Sequence, residues 1–138
     1  MLLYYLFRQY PNRGNYEVND SVAHMVVIQA HDPIKANFIA LTKGIYFDGI
    51  AKGVDCSCCD DRWTPLKVES NGWAREPHIG VIPLLSHLKS EIENSNYYYC
   101  ATPNHVLAYV YYADGTKEKI TVSDVNNRYH VFKFQNPY

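Results

Sequence analysis

The sequence predicts an α+β fold in which an antiparallel sheet carries one or two helices and an ordered cysteine-rich loop. Three observations predict it. Aromatic and β-branched runs at residues 2–9 and 22–30 end at turn formers, as strands do. Residues 33–43 and 83–95 instead place apolar side chains at helical spacing. Between two further apolar runs stands Asp114-Gly115, a strong local hairpin signal.

Taken in order, residues 2–9 form a first strand that stops at Pro11-Asn12-Arg13-Gly14-Asn15, a dense cluster of turn residues. A second strand follows at 22–30. Asp32-Pro33 then supplies an N-cap with proline at the first helical position, and Ile34, Phe38 and Leu41 form the apolar stripe of a helix closed by Gly44. Residues 45–49 read as a short extended piece before the cysteine loop. Pro83 opens a second helix, with Leu84, Leu85, Leu88 and Ile92 as its apolar face; Asn94, Ser95 and Asn96 end it. Residues 106–112 and 117–122 form the hairpin around Asp114-Gly115, and residues 129–134 add a last, only partly alternating strand.

A chain of 138 residues has the size of one domain, residues 1–138, and can bury a core without disulfides. Its 13 Lys+Arg and 14 Asp+Glu nearly cancel, so no overall field recruits nucleic acid or an anionic membrane. The apolar start, Met1-Leu2-Leu3-Tyr4-Tyr5-Leu6-Phe7-Arg8, lacks the basic region of a signal peptide, and no stretch approaches the roughly 20 apolar residues that cross a bilayer. A cytosolic setting is expected. Three of the four cysteines crowd into Cys56-Ser57-Cys58-Cys59, where pairing with one another would strain the backbone. Free thiols or a metal are expected there instead.

Cys56 and Cys59 have the Cys-x-x-Cys spacing that presents two thiolates to one ion, and Cys58 is a third candidate ligand. Cys100 with His105, or His24, are the candidates to complete a tetrahedron, and the expected cofactor is structural zinc. Catalysis has no comparable support. A zinc deaminase needs His-x-Glu ahead of its cysteines, and the sequence has none. Phosphate-binding glycine loops, nucleophile elbows and His-Glu-x-x-His helices are likewise missing from it. Glu91 and Glu93, two apart on a helix, face different directions and read as a solvated surface.

After the thiols, Arg62 is expected to brace the loop through Asp61 or Asp55, and Trp63 to anchor it in the core. The same two residues, with Trp73 and Arg75, also form a candidate recognition surface for stacking and anion contact. The 13 tyrosines extend it. In Tyr97-Tyr98-Tyr99 a strand would put Tyr97 and Tyr99 on one side, where with Tyr111 they could stack a nucleobase or fill a partner's pocket.

Several pieces in order resemble a known family: Phe7-Arg8-Gln9, Asn19-Asp20, Val22-Ala23-His24, Ile45-Tyr46-Phe47-Asp48-Gly49 and Asp55-Cys56-Ser57-Cys58-Cys59-Asp60-Asp61-Arg62-Trp63. Together, over about residues 5–63, they are similar to small uncharacterised proteins of tailed bacteriophages that carry an Asp-Cys-x-Cys-Cys-x-Asp-Arg-Trp loop. That family usually has glycine at the position of Asp60, and aspartate tolerates a left-handed turn better than most residues. The resemblance implies a phage product acting in the cytoplasm of an infected bacterium, implies no enzyme activity, and adds weight to His24 as a partner of the cysteines.

The expected function is therefore stoichiometric binding by a non-enzymatic accessory protein that counters host defence. Its target would be a host protein or a nucleotide immune signal. One alternative is a zinc-stabilised nucleic-acid module, disfavoured by neutral charge because phosphate contacts dominate such affinity. Another is a small cysteine, histidine or metal-dependent hydrolase. A strand edge left open would allow a dimer.

Overall fold

Apolar runs too continuous to leave one face in water build the centre of the fold. Met25-Val26-Val27-Ile28 belongs to strand β2 (Met25–Ala30) and Leu107-Ala108-Tyr109-Val110 to strand β3 (Val106–Tyr111), and all eight side chains are buried. The computed structural model describes residues 2–12, 14–67, 81–94, 102–127 and 129–133. Within it β2 and β3 pair in parallel, Met25 opposite Ala108 and Ile28 opposite Tyr111. Strand β1 (Leu3–Arg8) lies antiparallel beside β2, and β4 (Lys117–Thr121) antiparallel beside β3, giving the order β1-β2-β3-β4.

The fold is α+β as the sequence predicts, with a sheet that is mostly antiparallel but parallel at its centre. A parallel pair needs a long crossover. Helices α1 (Pro33–Thr42) and α2 (Val81–Asn94) lie in it, and both faces of the sheet are consequently covered. On one face Tyr5, Phe7, Val26, Ile28, Tyr109 and Tyr111 pack with Ala36 and Ala40 of α1 and with Ile45, Phe47 and Trp63. On the other, Met25, Val27, Val110 and Ile120 pack with Leu88 of α2 and with Val122 and Val125 of α3 (Val122–Asn126).

Helix α1 starts as its sequence dictates: the Asp32 side chain accepts a hydrogen bond from Lys35 N at 2.7 Å, and Pro33 is the first helical residue. Its orientation is what the spacing alone leaves open. Ile34, Phe38 and Leu41 are 59%, 69% and 49% exposed, while Pro33, Ala36 and Ala40 face the sheet. The sheet already presents large aromatic rings on this face, and the helix meets them with its small residues.

The hairpin forms where expected. Gly115 takes φ +91°, and Asp114 Oδ1 accepts from both the backbone and the hydroxyl of Thr116. Helix α3 was not expected; it begins in a capping box of Thr121 and Asp124. The extended piece at 45–49 forms no strand: the chain bends at Phe47, Asp48 takes φ +57°, and a turn begins at Gly49. No strand forms at 129–133. Phe132 alone is sunk into the core there, Tyr129 and Val131 are exposed, and Lys133 N is held by the Glu118 carboxylate rather than by a backbone ladder.

Two truncations test which helix faces carry the core. Leu88→Ala should cost about 2–5 kcal/mol, because a fully buried leucine leaves a cavity. Phe38→Ala, although it removes the larger side chain, should change stability by no more than about 0.5 kcal/mol. Urea unfolding of the two variants measures both.

Candidate functional site

The cysteine loop is suspended from the end of β1. Gln9 is 2% exposed, and its amide is fully used: Nε2 donates to Ala23 O (2.7 Å) and Glu17 O (2.9 Å), while Oε1 accepts from Glu17 N (2.6 Å) and Arg62 Nη1 (2.7 Å). Arg62 continues the network, donating from Nη1 to Asn15 O (2.9 Å) and from Nε to the Tyr46 hydroxyl (3.1 Å). Its backbone N–H, not its guanidinium, reaches Asp55, at 2.9 Å. The expected side-chain pairing of Arg62 with Asp55 or Asp61 is thus replaced by a grip on Gln9, Asn15 and Tyr46. Asp61 serves Ile50 N instead, at 2.9 Å.

Asp55 closes the loop from within. Its carboxylate accepts from the Tyr46 hydroxyl at 2.7 Å, and burial followed by that bond pushes the phenol up to about 12 against the opposing pull of Arg62. The carboxylate also lies against Gly49, where any Cβ would drive into it. Trp63 is buried in the first core cluster, in the anchoring position expected of it. Arg62 and Trp63 are therefore both engaged within the fold.

At the loop's tip, Cys56, Cys58 and Cys59 place their Sγ atoms within 4.8 Å of one another, close enough to hold a metal. Cys56 and Cys58 are joined as a disulfide, which the sequence reading had disfavoured. Their Cα atoms stand 5.3 Å apart. Cys59 remains a thiol, 3.6 Å from Cys58 Sγ.

His24 is not a member of that cluster. It is buried at the foot of β2, with its ring 4.1 Å from that of Tyr16. Its Nδ1 lies 3.3 Å from Glu91 Oε2, and its Nε2 2.8 Å from His105 Nε2. Arg8 Nη2 completes the line, 2.7 Å from Glu91 Oε1. Glu91 is thus a buried acid rather than a solvated one, while Glu93 is exposed as expected. A signal was present: Glu91 falls three residues after Leu88, on the buried face of α2. Two imidazole nitrogens 2.8 Å apart share one hydrogen, so His24 and His105 cannot both be cations. Burial, then the charge on His24, hold His105 below the usual histidine value. Burial pushes the Glu91 carboxyl up, but His24 and Arg8 outweigh it and leave the group below its ordinary value.

Tyr111 is turned inward. Lys43 and Lys117 stand over its ring at 4.8 and 5.9 Å, and its hydroxyl donates to Ser21 O. Trp73, Arg75, Tyr97, Tyr99 and Cys100 lie outside the described residues.

Two measurements follow. Gly49→Ala should destabilise the protein by about 1–3 kcal/mol, read as a lower urea midpoint, since either the Asp55 carboxylate or the turn must move. Both depressed groups also make acid destabilising: stability should fall once the pH drops below 6.5, where an unfolded histidine takes a proton that His105 resists, and fall again below 4.5 as Glu91 is protonated. Glu91→Gln should cost about 1–3 kcal/mol at neutral pH and remove the lower phase from a melting-temperature profile.

The chain belongs to a family described as a domain of unknown function, DUF7296, whose profile matches residues 2–128. No curated protein and no solved structure matches it.

Proposed function

We propose that this member of DUF7296 is a phage-encoded, non-enzymatic accessory protein that acts by stoichiometric binding of a host protein, blunting a host defence. The observation that carries the reading is the outer face of α1. Ile34, Phe38 and Leu41 recur at i, i+4 and i+7, the spacing with which a helix fills an apolar groove, and all three are exposed. Lys35 is exposed beside them and the helix has no acidic residue, so the partner's groove has an acidic rim. Large apolar side chains on one helical face are costly to leave in water unless something covers them.

A protein target is favoured over a nucleotide signal. Of the candidate recognition residues that are described, Trp63 is buried, Arg62 is spent on Gln9, Asn15 and Tyr46, and Tyr111 is covered by two lysines. Those same engagements leave the nucleic-acid alternative without a specific observation in its favour.

The test places a photo-crosslinking residue at Lys35 and recovers adducts from infected host cells. One host protein should be captured at one-to-one stoichiometry, and Phe38→Asp should abolish capture without lowering the melting temperature. Capture indifferent to Phe38→Asp, or a cyclic nucleotide bound with no protein partner, would overturn this reading.

A further inference from the structure

The donor set at the loop's tip specifies a kind of metal, independently of the α1 surface. Three sulfurs lie within 4.8 Å of one another, and among the described residues no fourth histidine, cysteine, aspartate or glutamate joins them. Two of the flanking acids have other work: Asp55 accepts from Tyr46 and Arg62, and Asp61 from Ile50. His24 and His105, two of the residues expected to complete the set, are engaged with each other, and His24 also with Glu91.

A structural zinc site is a closed tetrahedron, which three sulfurs do not complete. Soft thiolates with no harder ligand favour soft cations, Cu(I) foremost. Two local features bear on Cys56, and the first suits an electron-rich sulfur there. Cys58 N–H points to Cys56 Sγ at 3.4 Å. Asn12, only 8% exposed, accepts from Cys56 N through Oδ1 at 3.1 Å, while its Nδ2 is buried without a hydrogen-bond partner. The side chain that holds Cys56 N thus leaves one buried donor without an acceptor.

We propose that the reduced loop binds one soft monovalent cation of the Cu(I) class through Cys56, Cys58 and Cys59 in three-coordinate geometry, and that the Cys56–Cys58 disulfide is its closed, metal-free form. Opening requires a dithiol reductant, which supplies two electrons and two protons to make the Cys56 and Cys58 thiols while closing its own disulfide. Binding then forms three metal–sulfur bonds and releases three thiol protons. Oxidation of the same pair withdraws two of the three ligands, so metal occupancy follows the thiol redox state. Acidic Asp55, Asp60 and Asp61 around the tip favour a cation over three bare thiolates.

The experiment titrates the whole, reduced protein with Cu(I) against a chromophoric Cu(I) chelator, alongside a parallel Zn(II) titration. One Cu(I) per chain is expected, with a near-ultraviolet thiolate-to-metal band and three fewer thiols reactive towards a disulfide reagent. Cys58→Ser and Cys59→Ser should each weaken retention about tenfold or more. Cys100→Ser and Ser57→Ala should leave it unchanged, and circular dichroism checks that each variant is folded. The oxidised protein should bind no Cu(I) until reduced. Tighter binding of Zn(II) than Cu(I), loss of binding in Cys100→Ser, or retention in both Cys58→Ser and Cys59→Ser would each overturn the proposal.

Discussion

The joint between Gln9 and Arg62 holds three otherwise separate pieces of chain together. A primary amide offers two donors and an acceptor oxygen with two lone pairs, and Gln9 spends all four on Glu17, Ala23 and Arg62. Its own N–H is bonded to His24 O, so the residue that follows β1 also fixes the approach to β2. Because the site is buried, each of these bonds replaces one to water that is no longer available, and loss of any single partner strands another. The loop that returns from β1 to β2 and the cysteine loop are therefore set by one side chain.

The two faces of the sheet solve different problems. Under α1 the rings of Tyr5, Phe7, Tyr109 and Tyr111 fill space, and the tyrosine hydroxyls at 109 and 111 reach out to Asn19 O and Ser21 O at the rim. Beneath α2 a charged line, Arg8–Glu91–His24–His105, ties helix, first strand and second strand to the entry of the third. A buried carboxylate is tolerable only when paired, and Glu91 has a cation on one side and an imidazole on the other. That line orients α2 on the sheet in a way that apolar contacts, which are non-directional, do not.

Much of the fold was legible. Strand β1, the capped start of α1, the span of α2 and the Asp114-Gly115 hairpin all follow from local turn and capping chemistry, which acts within a few residues. The parallel pairing of β2 with β3 was missed, although its signature stood in the uninterrupted Met25-Val26-Val27-Ile28 run, which no one-sided sheet needs. The stripe on α1 was found but not the side it faces, since periodicity reports that a helix has two faces but not what the sheet already holds. Of the candidate site, the anchoring of Trp63 and the proximity of the three cysteines could be read from the sequence. The partners of Arg62 could not: Gln9 is separated from it by most of two elements, and only the folded chain brings them within 2.7 Å. His24 was assigned to the cysteines for the same reason, whereas the polar partners of its ring, Glu91 and His105, come from the far half of the chain.

The parallel centre of the sheet bears on how the molecule is made as well as on its shape. Met25 pairs with Ala108, so the middle ladder joins segments from opposite ends of the sequence. A growing chain can close the β1–β2 hairpin, wind α1 and seat Trp63 long before β3 leaves the ribosome, but throughout that time the other edge of β2 stays open along its most apolar stretch. Contacts this distant are slow to form, and exposed strand edges invite pairing with the wrong neighbour. The last third of the chain, through the tight turn at Gly115, is thus what turns an adhesive half-sheet into a finished one.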